Sequence, residues 1–494
     1  MRTVVLIVLG CLTFHLMPVA FAHAADDQVI RAYRERLDAM EQEMRELRER
    51  LHELEAERAA PATDEAAPMR GDATVPASDE AAAPASVPAM AGAAPAKDEV
   101  QDEQLGILAT EVERLKSRLV LPDAKEYKSI YGFGPAASKV YQVDRGLSIG
   151  GYGEFNYQNF VKNEGGKSDK FDFLRFVLYT GYKFSDRIIL NTEIEFEHAT
   201  SSSTVTSGDG SVSVEFAALD FFLWQPLNVR AGLLLVPVGF VNELHEPTTF
   251  FGNIRPAVER EIIPSTWREG GVGFFGTLLP GLEYRAYLMN GLSAEGFSSK
   301  GVRGGRQKGN RADFDDVAGV IRVDYTPRVG TSIGTSVWMG ETGQNEDFAG
   351  EKPGAFLTMW EAHAQVEWRG LWFRMLGVLT DLDDADVLSA ALEDTIASKM
   401  FGFYAEIAYD VLPHVFPGTT QALAPFFRYE IFDTQDRVPS GFDRVPGRDP
   451  MVYTVGFSYK PHPQVVLKLD YRNFQNGSRN AIADELNIGA GFIF

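Results

Sequence analysis

From residue 146 to residue 494 the chain is built of runs that alternate apolar with polar side chains, and the connections between those runs alternate short with long. In 146–161, Leu147, Ile149, Phe155 and Tyr157 share one face while Ser148, Glu154, Asn156 and Gln158 share the other. In 187–198, Ile188, Leu190, Ile194 and Phe196 oppose Arg187, Asn191, Glu193, Glu195 and Glu197, and near the end Val465, Leu467, Leu469 and Tyr471 oppose Lys468, Asp470 and Arg472. A period of two is the mark of a strand with unlike faces. About sixteen such runs can be delimited, at 146–161, 171–184, 187–198, 212–224, 228–238, 270–279, 282–290, 316–326, 330–340, 356–368, 371–381, 400–411, 421–433, 450–460, 464–474 and 484–494, an even number as bacterial barrels require. Every second connection is short (185–186, 225–227, 280–281, 327–329, 369–370, 461–463), with 412–420 the loose member, and the others are long. A soluble sandwich has shorter strands and no reason to keep that parity. The pattern predicts an all-β transmembrane barrel of about 16 antiparallel strands, with short turns on one side and long loops on the other.

The residues before 146 predict export. A basic start at Met1-Arg2, an apolar Val4 to Leu12 and the small-x-small site Ala22-His23-Ala24 read as a signal peptide over 1–24. Cys11, the only cysteine of 494 residues, lies inside it. The exported chain is therefore expected to carry no disulfide; lipidation at Leu9-Gly10-Cys11 is the weaker alternative. In 25–58, Ile30, Tyr33, Leu37, Met40, Met44, Leu47, Leu51 and Leu54 keep the spacing of a coiled-coil seam. An Ala/Pro-rich linker follows over 59–97, then a second short seam over 98–121 (Leu105, Leu108, Val112, Leu115, Leu119) and a connector over 122–145, before the barrel of 146–494. Self-association through a periplasmic stalk is the functional expectation for these helices, and a solvated spacer is the bland one. No run after the signal reaches the roughly 20 apolar residues that a membrane helix needs.

One connection, 239–271, is too long for a turn and too apolar for a linker. It mixes Phe250, Phe251, Ile262, Ile263 and Trp267 with charges of both signs. Long ordered loops are usually functional, and this one is expected to fold into the lumen. Its candidate constriction residues are Glu243, His245, Glu246, Arg255, Glu259, Arg260, Glu261 and Arg268. A charge on the lipid face costs about 2–4 kcal/mol at mid-depth, so charges at alternate strand positions should face water inside the barrel. The basic residues of that lumen wall are Arg175, Lys183, Arg187, Arg230, Arg285, Arg322, Arg374, Arg428, Lys468 and Arg472, and the acids are Glu154, Glu193, Glu195, Glu197, Glu283, Asp324, Glu361, Glu367, Glu406, Glu430 and Asp470. The loop SSKGVRGGRQKGNR adds a basic patch at the mouth, Lys300, Arg303, Arg306, Lys308 and Arg311, suited to gathering anions or to contacting lipopolysaccharide phosphates.

The run VRAGLLLVPVGFVNE with its charged loop and GGVGFFG, then SSKGVRGGRQ and the terminal GAGFIF, resembles the phosphate- and polyphosphate-selective porin family of Gram-negative outer membranes over 146–494. The resemblance implies a sixteen-strand homotrimeric porin with an inward-folded third loop and a lumen lined by Arg and Lys for anions. The acidic row Glu193, Glu195, Glu197 and the net charge of −22 depart from that lining. Partners expected are outer-membrane lipid and lipopolysaccharide, with peptidoglycan through the coiled coil; no cofactor, metal or nucleic acid is expected. Catalysis is not expected either: His198, His245, His363, His414 and His462 are scattered, and HExxH does not occur. The rival function is structural, a barrel that anchors the stalk to the cell wall.

Overall fold

A computed structural model describes residues 127–161, 166–198, 210–475 and 483–494. The expected signal, coiled-coil and linker segments lie outside the described residues. Sixteen antiparallel strands close into one barrel in which each strand pairs with its sequence neighbours. They are β1 (Gly146–Val161), β2 (Lys170–Ser185), β3 (Ile188–Glu197), β4 (Ser211–Trp224), β5 (Leu227–Leu235), β6 (Arg268–Leu279), β7 (Leu282–Asn290), β8 (Val317–Arg328), β9 (Thr331–Gly340), β10 (Leu357–Trp368), β11 (Leu371–Leu382), β12 (Lys399–Tyr409), β13 (Ala422–Arg437), β14 (Met451–His462), β15 (Val465–Gln475) and β16 (Asp484–Ile493). The seam joins first to last: Tyr152 pairs with Ile493 and Val161 with Asp484. Gly151 and Phe494 exchange backbone hydrogen bonds of 3.0 and 2.9 Å, so Phe494 completes the closure.

The alternation seen in the sequence becomes an outside and an inside. On β15, Leu467 and Leu469 are exposed while Val466, Lys468, Asp470 and Arg472 are buried; on β10, Trp360 is exposed and Glu361 and His363 are buried. Exposed apolar residues next to buried charges invert a soluble protein and suit a barrel whose outer surface meets lipid. Exposed aromatic residues stand at strand ends, with Trp224, Tyr325, Trp368 and Tyr409 near the short turns and Phe171, Phe173 and Phe196 near the long loops. Those are the two interface levels where aromatic girdles sit.

The parity of connections holds, and α3 (Leu412–Val415) occupies the one loose short-turn connection. Three details differ from expectation. The strand predicted at 228–238 stops at Leu235, because Pro237 has no N–H to give the ladder. Arg187 is not on the lumen wall: it sits exposed in the turn between β2 and β3, since the strand begins one residue later. The loop between β11 and β12 contains α2 (Ala385–Leu392), a helix that strand periodicity did not signal.

Candidate functional site

The connection between β5 and β6, residues 236–267 and here called L3, crosses the inside of the barrel, and its one helical turn is α1 (Val258–Glu261). Its apolar residues Val236, Val238, Phe240, Val241, Val258, Ile262, Ile263 and Trp267 belong to one buried cluster with the inward residues Tyr152, Phe216, Tyr287, Trp338 and Tyr404 of the wall. An inward loop must also satisfy its backbone polar groups, because a buried unpaired one costs about 1–3 kcal/mol. Lumen-facing charges do this. Arg428 donates to the carbonyl oxygens of Phe251 and Ile254 at 3.2 and 2.9 Å, Arg374 to that of Thr249 at 3.3 Å, Lys460 to that of Thr248 at 3.0 Å, and Arg322 to that of Gly239. The Asp470 carboxylate accepts from the backbone N–H of Asn253 at 2.7 Å, and Glu430 accepts from that of Ala257. Gly239 has φ of +76°, and a Cβ there would lie 2.6 Å from Glu259 Oε2. A side chain fits neither that backbone nor that space.

Most of the sequence-predicted loop residues form the joints between loop and wall. Glu243 accepts both from Arg285 at 2.8 and 2.7 Å through its two oxygens. Glu259 accepts from Tyr404 Oη at 2.5 Å and from the Val241 N–H at 2.6 Å. Arg268 pairs with Glu215 at 2.5 Å. His245 Nε2 lies 3.1 Å from Glu193 Oε1 and Nδ1 3.1 Å from the Asn242 carbonyl, and burial lowers its pKa to about 4. Burial also pushes the Glu246 carboxyl up to about 8. Arg255 is half-buried and donates to the His245 carbonyl at 3.3 Å. Beside Arg255, Arg260 and Glu261, with side chains 57% and 32% exposed, keep part of their surface open.

The wall bases are paired as well. Arg175 meets Glu154 at 3.0 Å, Glu195 at 2.9 Å and Glu197 at 3.5 Å. Arg230 meets Asp220 at 2.7 Å, Arg322 meets Asp324 at 2.8 Å, and Arg472 meets Glu485 at 2.7 Å. Arg428 meets both Glu406 and Glu430 at 3.1 Å. Two bases differ. Arg374 rests on Gln365 at 3.0 and 2.8 Å, and the buried Lys468 amine, with no hydrogen-bond partner among the described residues, lies 3.8 Å from the centre of the Phe250 ring, a cation–π contact. His363 is spent in the same network, with Asp324 at 2.9 Å and Glu361 at 2.7 Å.

Two further segments enter the lumen, and sequence reasoning anticipated neither. The loop 291–316 packs Leu292, Ala294, Phe297 and Val302 into the cluster that holds L3. Its Arg306 donates to the Thr266 carbonyl at 2.8 Å, and Arg303 to that of Arg260 at 3.4 Å. Burial lowers these two guanidinium groups to about 10 and about 9. Two members of the expected mouth patch thus brace L3, whereas Lys300, Lys308 and Arg311 stay exposed. The expected connector, described from Tyr127 onward, packs Phe133, Ala136 and Ala137 into the same buried cluster. A cavity of about 380 Å³ remains at the short-turn end, bounded by Thr248, Phe251, Trp372 and Lys460, with Ser129 and Pro135 of that segment on one side.

No family model matches the chain. It is 40% identical over 371 residues to the "Uncharacterized protein" of Aquifex aeolicus (strain VF5), an alignment covering 72% of this chain and 82% of that one. Among solved structures it is similar to OmpF of Salmonella typhi in complex with daunomycin (12% identity, 71% of this chain and 98% of that chain, TM-score 0.49). It is also similar to the OmpT loop L8 deletion mutant of Vibrio cholerae (10% identity, 71% and 100%, TM-score 0.46). The outer membrane channel DcaP of Acinetobacter baumannii is a further likeness (12% identity, 70% and 97%, TM-score 0.44).

Proposed function

Because the chain belongs to the family of that Aquifex aeolicus protein and folds as a closed sixteen-strand barrel, we propose that it is a porin of the Gram-negative outer membrane. In this reading the barrel is a channel for diffusion of small charged solutes. The observation that carries it is the inverted barrel: apolar residues outside, charges inside, and one long loop laid across the lumen. Sixteen strands enclose a bore wide enough for water, and L3 narrows it. Arg255, Arg260 and Glu261 are the constriction residues with side chains left to meet a solute. The resemblance to phosphate- and polyphosphate-selective porins implies anions. The wall supports that preference weakly, since Arg175, Arg230, Arg322, Arg428 and Arg472 each face a carboxylate. Selectivity is set at the narrowest point rather than by the total wall charge. The short turns then lie in the periplasm and the basic residues Lys300, Lys308 and Arg311 outside, toward lipopolysaccharide. The homotrimer implied by the resemblance, and a peptidoglycan contact through the coiled coil, complete the reading.

A second reading is a barrel that anchors a periplasmic stalk. It is favoured by how completely L3, the loop 291–316 and the segment from Tyr127 occupy the lumen, where Glu193, Asp220, Glu361, Arg428 and Glu430 are all buried. Planar-bilayer conductance of the detergent-folded full chain separates the two readings. Steady conductance with a reversal potential across a salt gradient is expected of a porin. A silent bilayer containing correctly folded barrel would leave the anchor.

A further inference from the structure

The segment 127–145 precedes the first strand and need only have led into it, yet it turns into the lumen from the short-turn end and meets both wall and loop. Its 3₁₀ turn, Ala137–Tyr141, starts under L3. The N–H of Ala136 lies 2.9 and 3.1 Å from the two oxygens of Glu246, and the N–H of Ala137 lies 3.3 Å from the first. The wall reaches in from several strands. Asn191 donates to the Ala137 carbonyl at 3.0 Å, Arg230 donates to the Tyr131 carbonyl at 3.0 Å, and Tyr141 donates to Asp220 at 2.8 Å. The Arg230 guanidinium is held between the rings of Phe133 and Phe275, 4.2 and 4.6 Å from their centres. Small residues allow this closeness: a Cβ on Gly132 or Gly134 would lie 2.4 Å from a Glu243 or Glu246 oxygen.

The segment therefore touches the two L3 acids that anchor the loop's first half. We propose that residues 127–145 are an internal plug that latches L3 through Glu246 and closes the short-turn end of the lumen, so that displacing the plug opens the passage. Its N-terminal end continues into the expected coiled-coil and linker segments, which gives them a direct covalent handle on the gate. The opening step rests on the reading of the barrel as a channel; the latch does not.

The test compares the full chain with two variants in planar bilayers and by amide hydrogen exchange in detergent. One variant deletes residues 127–142. The other, Ala136→Pro, removes one N–H at a φ of −75° that proline adopts. Heat-dependent gel mobility reports whether each barrel is folded. A several-fold rise in single-channel conductance is expected on deletion, with a smaller rise for Ala136→Pro. Exchange in 244–250 should become about tenfold faster, a change equivalent to about 1.4 kcal/mol. The synthetic peptide of residues 127–142 should restore the block from one face of the bilayer. Unchanged exchange in 244–250 in both folded variants would overturn the plug. Faster exchange with no added conductance would keep the latch and sink the channel reading.

Discussion

The guanidinium of Arg428, on β13, donates to the carbonyl oxygen of Ile254 at 2.9 Å, binding the barrel wall to a loop residue 174 positions earlier. The same group faces Glu406 and Glu430 at 3.1 Å each. One fully buried cation thus faces two acids and supports the far side of L3. Arg428→Met should cost about 3–5 kcal/mol, the usual loss when one partner of a buried ion pair is removed. The expected readout is a lower denaturant midpoint by tryptophan fluorescence, with faster amide exchange over 251–258.

Charge selectivity should reside in few residues. Arg260 is exposed and Glu261 half-buried, whereas Glu243 and Glu259 are tied into joints. Glu261→Gln should move the reversal potential toward anions and Arg260→Gln toward cations, each with little change in stability. Equal shifts from charge changes at the exposed Lys300 and Arg311 would place the selective point at the mouth instead.

The contact between plug and loop should depend on pH. Burial raises the Glu246 carboxyl from 4.5 to about 8, with the Glu193 charge adding to the rise and the Ala136 and Ala137 N–H groups and the Tyr179 hydroxyl opposing it. The folded form therefore binds a proton more tightly than the released form. Docking is fully stabilised below about 4.5 and loses that contribution as pH climbs through about 8. Protease sensitivity of 127–145 should rise across that window, and Glu246→Gln should flatten the dependence.

Gly239 offers a backbone test. Gly239→Ala places a side chain at φ +76° and against Glu259 Oε2, where left-handed backbone alone costs about 1–2 kcal/mol. The variant should fold as a barrel yet show a lower denaturant midpoint and noisier conductance. A quiet channel of wild-type stability would mean that the loop entrance relaxes freely.

The strands were legible because lipid on one side and charge on the other impose a period of two that each run displays by itself. That is how Lys468, Asp470 and Arg472 could be placed inside from their neighbours alone. Glu215 could not be found this way. The register shifts opposite Glu193 and Ile194, where Phe216 and then Val214 are the partners, so the extra residue breaks the alternation that would have pointed Glu215 inward. Arg187 failed at a strand boundary, where one residue decides between wall and turn. The joints of L3 were illegible for another reason. Ala257 meets Glu430 across 173 residues and Ala136 meets Glu246 across 110, and no local pattern encodes which acid a loop N–H will reach. The segment from Tyr127 looked like a connector because small and aromatic residues without a period carry no address of their own.

The seam between Gly151 and Phe494 also sets an order of assembly. Phe494 is half of the backbone pair that shuts the cylinder. Until it arrives, β1 and the strand that will pair with it are open edges, free to recruit foreign strands. A nearly finished sheet must therefore be kept apart from its neighbours, and a chain lacking β16 would have every other pairing in place and no way to end.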